Sequence, residues 1–395
     1  MKKLIGKILS ILLKKVGYEI IKKDHSCVKN NIFNTHFSKN VLVSFIEFEN
    51  ATLSHTNKIE SKIICQTINK LGFNVDLIDF QEKLVGNEHN KYNLVIGFGN
   101  PINQIITNSN RLKTKIIIYM NGANPSYSDA INLKLLTEHN KKSKINLIKS
   151  TRFVNVPYIV PVNFSDYLIS LGNQFVADTY PNHYIKKHQL PAFYFPINLD
   201  LKEKKFVTSQ THFLWLGGTG LLHKGLDYVL DFFSKRTDLT LHICAPTKIE
   251  DGFMELYKTI FLKCSNIINY GFISIDSSEF ENIIKSCTFS LMASHSEGGA
   301  VSTITTMGNG GLIPIISEST GLDVEPFGFT FKDNTYQSMS DKINEALLST
   351  PSENQLKAEK IIKYCKIHYS RKNYNDNLTA IFQDILKDIK SQKND

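Results

Sequence analysis

The chain has 395 residues, which is too many for one ordinary hydrophobic core, so about two domains are expected. Apolar residues make up 42% and charged residues 21%, as in a globular protein, and no run of 18 apolar residues is present, which excludes a membrane-spanning helix. Residues 1–23 hold seven lysines and one glutamate and so carry +6 of the formal net charge of +9. Only +3 remains for the other residues, so no basic nucleic-acid-binding surface is expected on the body of the protein.

The chain begins with a basic amphipathic segment, MKKLIGKILSILLKKVGYEIIKK (1–23). At helical spacing, Lys3, Lys7 and Lys14 fall on one side and apolar side chains on the other, a pattern typical of helices that lie in the headgroup region of an anionic membrane. A signal peptide matches less well, because Lys7 interrupts the apolar region and no small-residue cleavage site follows. A helix packed on the body remains an alternative. Residues 1–30 are thus predicted to form a helix that holds a cytoplasmic protein on the inner face of the cell membrane.

Residues 31–205 alternate strand and helix patterns and are predicted to form a first domain. Strands are expected at 41–46, 75–80, 93–98, 115–120 and 167–173, and helices at 55–71 and within 126–142. Apolar strands separated by helices form parallel sheets with both faces covered, so a Rossmann-like α/β domain is expected. The segment GFGNPI (97–102) has Gly-x-Gly after a strand. Its third fingerprint position is Ile102, and Pro101 stands where the helix should begin, so a nicotinamide cofactor is not expected.

A charged, aperiodic segment, LDLKEKKFVTSQT (199–211), is predicted to be an interdomain linker. Residues 206–350 are predicted to form a second Rossmann-like parallel-sheet domain that faces the first across a cleft. Its strands are expected at 213–217, 239–245, 266–273, 289–292 and 312–316, and helices at 226–235, 252–263, 277–286, 335–348, 354–369 and 374–391. The C-terminal helices within 351–395 are expected to pack back toward the first domain.

The stretch FSLMASHSEGGAVSTITTMGNGGLIPIIS (289–317) has the pattern of a βαβ unit. A short apolar strand leads into a Ser- and Gly-rich turn that holds one carboxylate, Glu297, and then into a helix of small residues and a second apolar strand. Such a turn exposes backbone N–H groups and a helix N-terminus at the carboxyl edge of a parallel sheet, where open α/β folds bind anions. The alternative is a turn that only reverses the chain.

The six cysteines are scattered without a Cys-x-x-Cys pair, and three of them lie in apolar segments. They are Cys27, Cys65, Cys244, Cys264, Cys287 and Cys365. A buried cysteine of this kind behaves as a small hydrophobic residue. We therefore expect a reducing cytoplasm and no metal site, and no Asp-x-Asp metal motif is present.

Three segments of the second half, in this order and spacing, resemble the family 4-like retaining glycosyltransferases of the GT-B fold. They are FLWLGGTGLLHKGLDYVLDFF (213–233), similar to that family's strand, glycine turn and Lys-Gly helix start; NIINYGFI (266–273), similar to its loop near the nucleotide base; and SEGG (296–299), which matches its glutamate-glycine turn. Within the family, the chain looks closest to enzymes of bacterial surface-polysaccharide synthesis. The first domain resembles the family only in architecture and in short pieces such as YMNGANPSYSD (119–129).

The resemblance implies a hexosyltransferase that moves a sugar from a nucleotide-diphosphate-sugar donor to a glycan or lipid-linked glycan, with retention and without a metal ion or cofactor. Lys224 and Glu297 are the implied catalytic residues, and Asn121 and Asn124 of the first domain lie on the implied acceptor or catalytic side. The implied donor-binding residues are Gly217, Gly218, Thr219, Gly220, Lys224, Gly271, Phe272, Glu297, Gly298, Gly299 and Thr305. Retaining transfer in this fold has no agreed side-chain nucleophile, so no covalent residue is named.

The chemistry of these residue types suits a diphosphate leaving group. Negative charge grows on the β-phosphate as the glycosidic bond breaks, and preorganised donors stabilise it. Lys224 supplies a point charge, the glycines within 217–220 let backbone N–H groups come close, and the helix after Glu297 supplies further donors. An ionised Glu297 accepts hydrogen bonds from sugar hydroxyls.

Two positions depart from the family pattern. Thr305 stands where the family has a second glutamate that holds the ribose, and Gly218 stands where an arginine is often found. A threonine hydroxyl bonds one ribose oxygen but not both at once, as a carboxylate does. A catalytically degenerate nucleotide-sugar-binding protein therefore remains an alternative, as does a sugar-nucleotide epimerase of the same architecture.

The candidate site residues also have structural interpretations. Lys224 can be a solvated helix residue, Glu297 a helix cap, and Asn121 and Asn124 turn-forming residues. His223, which precedes Lys224, can reach a phosphate, although a packing role is the favoured interpretation.

Overall fold

The structure is a computed structural model that describes residues 27–48, 56–86, 88–107, 114–154, 156–181, 186–197, 199, 201 and 204–392. The membrane-binding helix predicted at 1–23 lies outside these residues. Within them, no helix combines the length and apolar character that crossing a membrane requires.

Six parallel strands form the first sheet. They are β1 (Lys39–Phe45), β2 (Phe73–Asp79), β3 (Leu94–Gly97), β4 (Lys115–Met120), β5 (Tyr167–Leu171) and β6 (Lys186–Leu190), and they lie in the order β2-β1-β3-β4-β5-β6. Consecutive residues of β4 and β5 are buried, because helices cover both faces of the sheet. The sequence does not predict β6, whose segment KKHQL is polar and lies at the sheet edge.

Five helices belong to the described residues of this first half of the chain. They are α1 (Asn57–Lys70), α2 (Asn100–Thr107), α3 (Pro125–Lys142), α4 (Val156–Phe164) and α5 (Gln174–Asp178). The side chain of Asn124 accepts a hydrogen bond from the amide of Ser126 and caps α3, whose first residue is a proline. The sequence does not predict α4, because prolines at 157 and 161 obscure its helical pattern.

Six further parallel strands form the second sheet. They are β7 (His212–Leu216), β8 (Thr240–Cys244), β9 (Ile267–Gly271), β10 (Phe289–Met292), β11 (Ile313–Ser317) and β12 (Phe329–Phe331), in the order β12-β11-β10-β7-β8-β9. The chain winds outward from β7 to β9 and then restarts at β10, beside β7. This reversal is the topological switch point at which doubly wound α/β folds bind ligands. The predicted architecture of two Rossmann-like parallel-sheet domains is confirmed.

Seven described helices lie around the second sheet, and they follow the sequence prediction except for a short helix inside the predicted linker 199–211 and a break in the helix predicted at 252–263. They are α6 (Phe206–Ser209), α7 (Leu226–Phe233), α8 (Asp251–Leu256), α9 (Lys258–Lys263), α10 (Ser278–Ser286), α11 (Val301–Gly310) and α12 (Tyr336–Ala346). The single helix predicted at 252–263 is wrong, because it is divided into α8 and α9 at Tyr257. This residue leaves helical geometry, with φ −100° and ψ 9°, and its ring packs 4.7 Å from that of Phe253 between centroids.

The last two helices, α13 (Pro351–His368) and α14 (Arg371–Ser391), pack on different domains. Helix α13 contacts α11 and β11 of the second domain, whereas α14 contacts α1 and β6 of the first. The buried face of α14 recurs at helical spacing, with Tyr374, Leu378, Phe382 and Ile385. Of the two described helices in the predicted C-terminal segment 351–395, α14 lies on the first domain and α13 on the second. The domain boundaries themselves stay a prediction.

Candidate functional site

The carboxyl ends of strands from both sheets border a cavity of about 430 Å³. Because residues of both domains line it, a ligand in this cavity lies between the two sheets. The predicted site residues in its lining are Asn121, Gly217, Gly218, Thr219, Lys224, Phe272, Glu297, Gly298 and Thr305. The predicted residues outside its lining are Asn124, Gly220, Gly271 and Gly299.

Helix α11 points an uncapped N-terminus into the cavity. Among the described residues, no acceptor takes a hydrogen bond from the amides of residues 298–303, and no side chain caps the helix. Ala300, just before the helix, has φ 39° and ψ 59°, a left-handed conformation that costs a non-glycine residue about 1 kcal/mol. Free amides, the helix dipole and a strained turn together make this end of α11 an anion-binding geometry.

Lys224 and Glu297 form an ion pair across the cavity wall. Both side chains are largely buried, with exposed fractions of 10% and 15%, so Lys224 is not a solvated helix residue. Burial, followed by the positive charge of Arg152, lowers the pKa of Lys224 well below its usual range, whereas the charge of Glu250 opposes this shift. The contact with the Glu297 carboxylate also favours the charged ammonium form. Arg152 belongs to the first domain, and its guanidinium nitrogen lies 3.6 Å from the same Glu297 oxygen. Two cations therefore converge on one carboxylate.

The glycine turn after β7 offers fewer amides to a ligand than the sequence suggests. The amide of Gly217 donates to the carbonyl of Cys244 at 3.1 Å. The amides of Gly220 and Leu221 donate to the buried carboxylate of Glu250 at 2.6 and 3.1 Å. Within the described part of the chain, the cavity-lining amides of residues 218 and 219 have no such acceptor. These two amides are the ones that can reach a phosphate.

Gly298 and Gly299 bring the turn before α11 against the first domain. A Cβ on Gly298 would lie 2.5 Å from the Cα of Gly122. Gly299 has φ 74°, which favours glycine, and it packs beside Gly172. The two glycines therefore permit a close approach between domains, in addition to any contact that Gly298 makes in the cavity.

The two asparagines of the first domain have different surroundings. Asn121 lines the cavity. Asn124 is buried outside the cavity, where its side chain caps α3 and its backbone N–H donates to the hydroxyl of Thr179 at 2.9 Å. A helix-capping role accounts for Asn124 without a ligand.

Thr305 and Phe272 both line the cavity on the second-domain side. The hydroxyl of Thr305 donates to the carbonyl of Val301 at 2.7 Å, so its hydrogen is already used and only its acceptor capacity is free. Phe272 follows Gly271, which has φ 75°, and its side chain is 66% exposed. An exposed ring at this position offers a flat face to a base or sugar.

His223 is buried in the domain contact and is absent from the cavity lining. Its Nδ1 lies 2.8 Å from the side-chain oxygen of Asn132, and its Nε2 lies against the carbonyl of Ser296. Burial, reinforced by the charges of Lys224 and Arg152, lowers the pKa of His223 to about 3. With the Asn132 amide turned so that its nitrogen donates to Nδ1, a neutral imidazole satisfies both contacts. The packing interpretation fits this geometry.

Sequence reasoning missed two charged residues of the cavity, Arg152 and Glu60. Arg152 follows a polar segment without periodicity, and only the tertiary fold brings it to the second domain. Glu60 lies on the buried face of α1, where it receives a hydrogen bond from Tyr119 at 2.8 Å, and burial raises the pKa of its carboxyl. A carboxylate at helical spacing with Ile63 and Ile64 was the pattern that would have revealed it.

No protein-family model matches this sequence, and no curated protein matches it. Solved structures match it in fold. The sucrose-phosphate synthase of Thermosynechococcus elongatus aligns over 88% of this chain and 99% of its own, with a TM-score of 0.58 and 11% identity. HepE of Anabaena, solved in complex with UDP and glucose, aligns over 88% of this chain and 100% of its own, with a TM-score of 0.53 and 10% identity.

TarM of S. aureus, in complex with fondaparinux, alpha-GlcNAc-glycerol and UDP, aligns over 72% of this chain with a TM-score of 0.49 and 11% identity. The chain spans about half the length of TarM, 55%. The resemblance predicted from the sequence is confirmed at the level of architecture. The chain has the two-domain fold of the GT-B glycosyltransferases.

Proposed function

We propose that this protein is a glycosyltransferase that takes a sugar from a nucleotide-diphosphate-sugar donor. The observation that carries the proposal is the uncapped N-terminus of α11 beside Lys224 in a cavity between two domains. The amides of residues 298 and 300–302, which line the cavity without an acceptor in the described part of the chain, and a buried ammonium group suit a diphosphate better than a neutral ligand. The GT-B fold of the chain supports the same class of reaction.

In the proposed reaction, the bond between the sugar C1 and the β-phosphate oxygen breaks, and its electron pair stays on that oxygen. The amides before α11 and Lys224 stabilise the charge that grows there. Glu297, held by Lys224, is placed to accept hydrogen bonds from the donor sugar. The acceptor hydroxyl oxygen forms the new bond to C1 and passes its proton to the departing phosphate. Retention and independence from a metal ion are part of this proposal, and they rest on the sequence resemblance.

The proposed acceptor is a glycan or lipid-linked glycan of a cell-surface polysaccharide. The first-domain wall of the cavity carries Thr56, Asn57, Glu60 and Asn121, whose oxygens and nitrogens suit hydroxyl-rich ligands. We also propose that residues 1–23 hold the protein on an anionic membrane, where a lipid-linked acceptor resides. Liposomes with anionic lipid should then sediment the full chain better than a chain that starts at Asn31, and equal recovery would contradict this part.

A thermal-shift screen tests the donor class. UDP-glucose is the first candidate, since HepE was solved with UDP and glucose, followed by GDP-, ADP- and CMP-sugars. A donor that binds only the folded protein raises its melting temperature. A donor identified in this way is then used to assay transfer and slow hydrolysis.

The Lys224→Ala substitution tests the site. Loss of the ammonium group should weaken donor binding by calorimetry about tenfold or more, because a charge-assisted contact is lost. Lys248→Ala, which removes an exposed lysine of the same domain, is the control and should bind normally. Unchanged binding by Lys224→Ala would refute the assignment. Binding without transfer or hydrolysis would indicate a nucleotide-sugar-binding protein, and an epimerised sugar without acceptor would indicate an epimerase.

A further inference from the structure

We propose that Arg152 supplies a second cation to the donor diphosphate from the opposite domain, so that the diphosphate is held between Lys224 and Arg152. This inference rests on the proposed function and adds to it a residue of the first domain. Arg152 lines the cavity, and its side chain is 52% exposed. Its guanidinium group is therefore available to a ligand, whereas Lys224 is almost enclosed.

The stem of Arg152 crosses the domain boundary at the glycine turn. A Cβ on Gly220 would lie 2.7 Å from Cγ of Arg152 and 2.8 Å from its Cδ. Gly220 also has φ 86°, a conformation that favours glycine. A larger residue at 220 would block the path of the arginine, so the glycine makes room for a side chain of the first domain.

The backbone near Arg152 is fixed relative to Lys224. The amide of His223, the residue before Lys224, donates to the carbonyl of Ser150 at 3.1 Å. Ser150 lies two residues before Arg152, so this bond ties the two segments together. On the other side, the amide of Val154 donates to the carboxylate of Asp129 at 2.8 Å. Arg152 is thus held between these two hydrogen bonds in sequence, and one of them ties its segment to the residue before Lys224.

The charge arrangement favours an anion with several oxygens. Lys224 and Arg152 both contact the same oxygen of Glu297, so one carboxylate is shared between two like charges. The second nearby carboxylate, Glu250, already accepts from the amides of Gly220 and Leu221. A diphosphate offers separate oxygens to the ammonium group and to the planar guanidinium fork. Position 218, where the resembled family often has an arginine, is a glycine here, and Arg152 supplies an arginine from the facing domain instead.

The test compares nucleoside diphosphates with their monophosphates by titration calorimetry on the full chain. The probes are UDP and UMP, GDP and GMP, ADP and AMP, and CDP and CMP, and the pair that the wild-type protein binds is used further. Arg152→Ala should weaken diphosphate binding about tenfold or more and monophosphate binding about threefold at most, because the contact to the second phosphate is lost. Arg152→Lys should restore part of the preference for the diphosphate.

Lys149→Ala is the matched control, since Lys149 lies on the same segment and pairs with Asp251 of the second domain at 3.5 Å outside the cavity lining. It should bind both nucleotides as the wild type does. If Arg152→Ala lowers mono- and diphosphate affinity equally, or changes neither, the role of Arg152 is overturned while the proposed function stands. If wild-type protein binds none of the four diphosphates, both fail.

Discussion

A methyl group at Gly298 would lie 2.5 Å from the Cα of Gly122 and 2.6 Å from the carbonyl oxygen of Asn121. Both atoms belong to the backbone of the first domain and cannot turn away as a flexible side chain does. Gly298 also stands beside Glu297, whose position sets the ion pairs with Lys224 and Arg152. The spacing of the domains and the geometry of the cavity therefore depend on the same residue.

We expect Gly298→Ala to separate the domains by a few tenths of an ångström or more and to weaken donor binding by about 10- to 100-fold. Each domain should still fold, so the far-ultraviolet circular dichroism spectrum should be unchanged. Calorimetric titration with the donor identified by the thermal-shift screen measures the effect. Gly122→Ala is the control on the facing surface, because a Cβ there meets nothing within 4 Å. Normal donor binding by Gly298→Ala would contradict the steric argument.

The βαβ unit at β10, α11 and β11 is the element that the sequence predicts best. Short apolar strands, a glycine-rich stop and the left-handed Gly311 after α11 mark its boundaries locally. Position 152 could not be predicted in the same way, since its neighbours in sequence carry no pattern and its partners lie in the other domain. Likewise β6 is polar along its length, and only pairing with β5 makes it a strand.

The position of helix α14 also depends on contacts with residues far away in sequence, which local patterns do not show. The sequence predicts that both C-terminal helices pack toward the first domain, but their amphipathic patterns do not distinguish α14, which does so, from α13, which packs on the second domain. The structure places α14 on α1 and β6, where the hydroxyl of Tyr374 contacts that of Tyr119 at 2.8 Å. Tyr119 in turn donates to Glu60 at the cavity. The C-terminal helix is thereby joined to the buried carboxylate of the first domain.

We expect Phe382→Ala to lower the free energy of unfolding by about 3–5 kcal/mol, because it removes a fully buried ring from the contact of α14 with the first domain. Urea denaturation measures the change. Gln383→Ala alters the next, exposed residue of the same helix and should change stability by no more than about 0.5 kcal/mol. Similar values for the two variants would show that α14 contributes little to stability.

Across the whole molecule, α3 forms a polar contact between the domains. Ser128 meets Ser296 at 2.6 Å, and His139 meets Asp227 at 3.3 Å between its Nε2 and a carboxylate oxygen. The other ring nitrogen of His139 faces the carbonyl of Leu135 at 2.9 Å. Both ring nitrogens thus face acceptors, which suits the doubly protonated imidazolium. The hydrogen bond to Asp227 raises the pKa of His139, although burial opposes it.

This raised pKa predicts a pH-dependent domain contact. The stabilisation from His139 is fully present below its unfolded pKa of about 6.5 and is lost as the pH rises through the higher folded value. The stability difference between wild type and His139→Gln should therefore be larger at pH 5.5 than at pH 9, measured by urea unfolding. His36→Gln, at an exposed histidine, is the control. A difference that does not vary with pH would contradict the assignment of a charged His139.

The crossing of α14 to the first domain also governs how this protein can be divided. A fragment that ends at the linker lacks the helix that covers α1 and β6, so it would leave apolar surface of its own sheet open to water. Exchange of second domains between related chains would meet the same difficulty. A chimera joined only at residues 199–211 would combine a first sheet from one parent with a covering helix from the other. The proposed donor specificity is better transferred as residues 206–368, with 371–391 retained from the parent of the first domain.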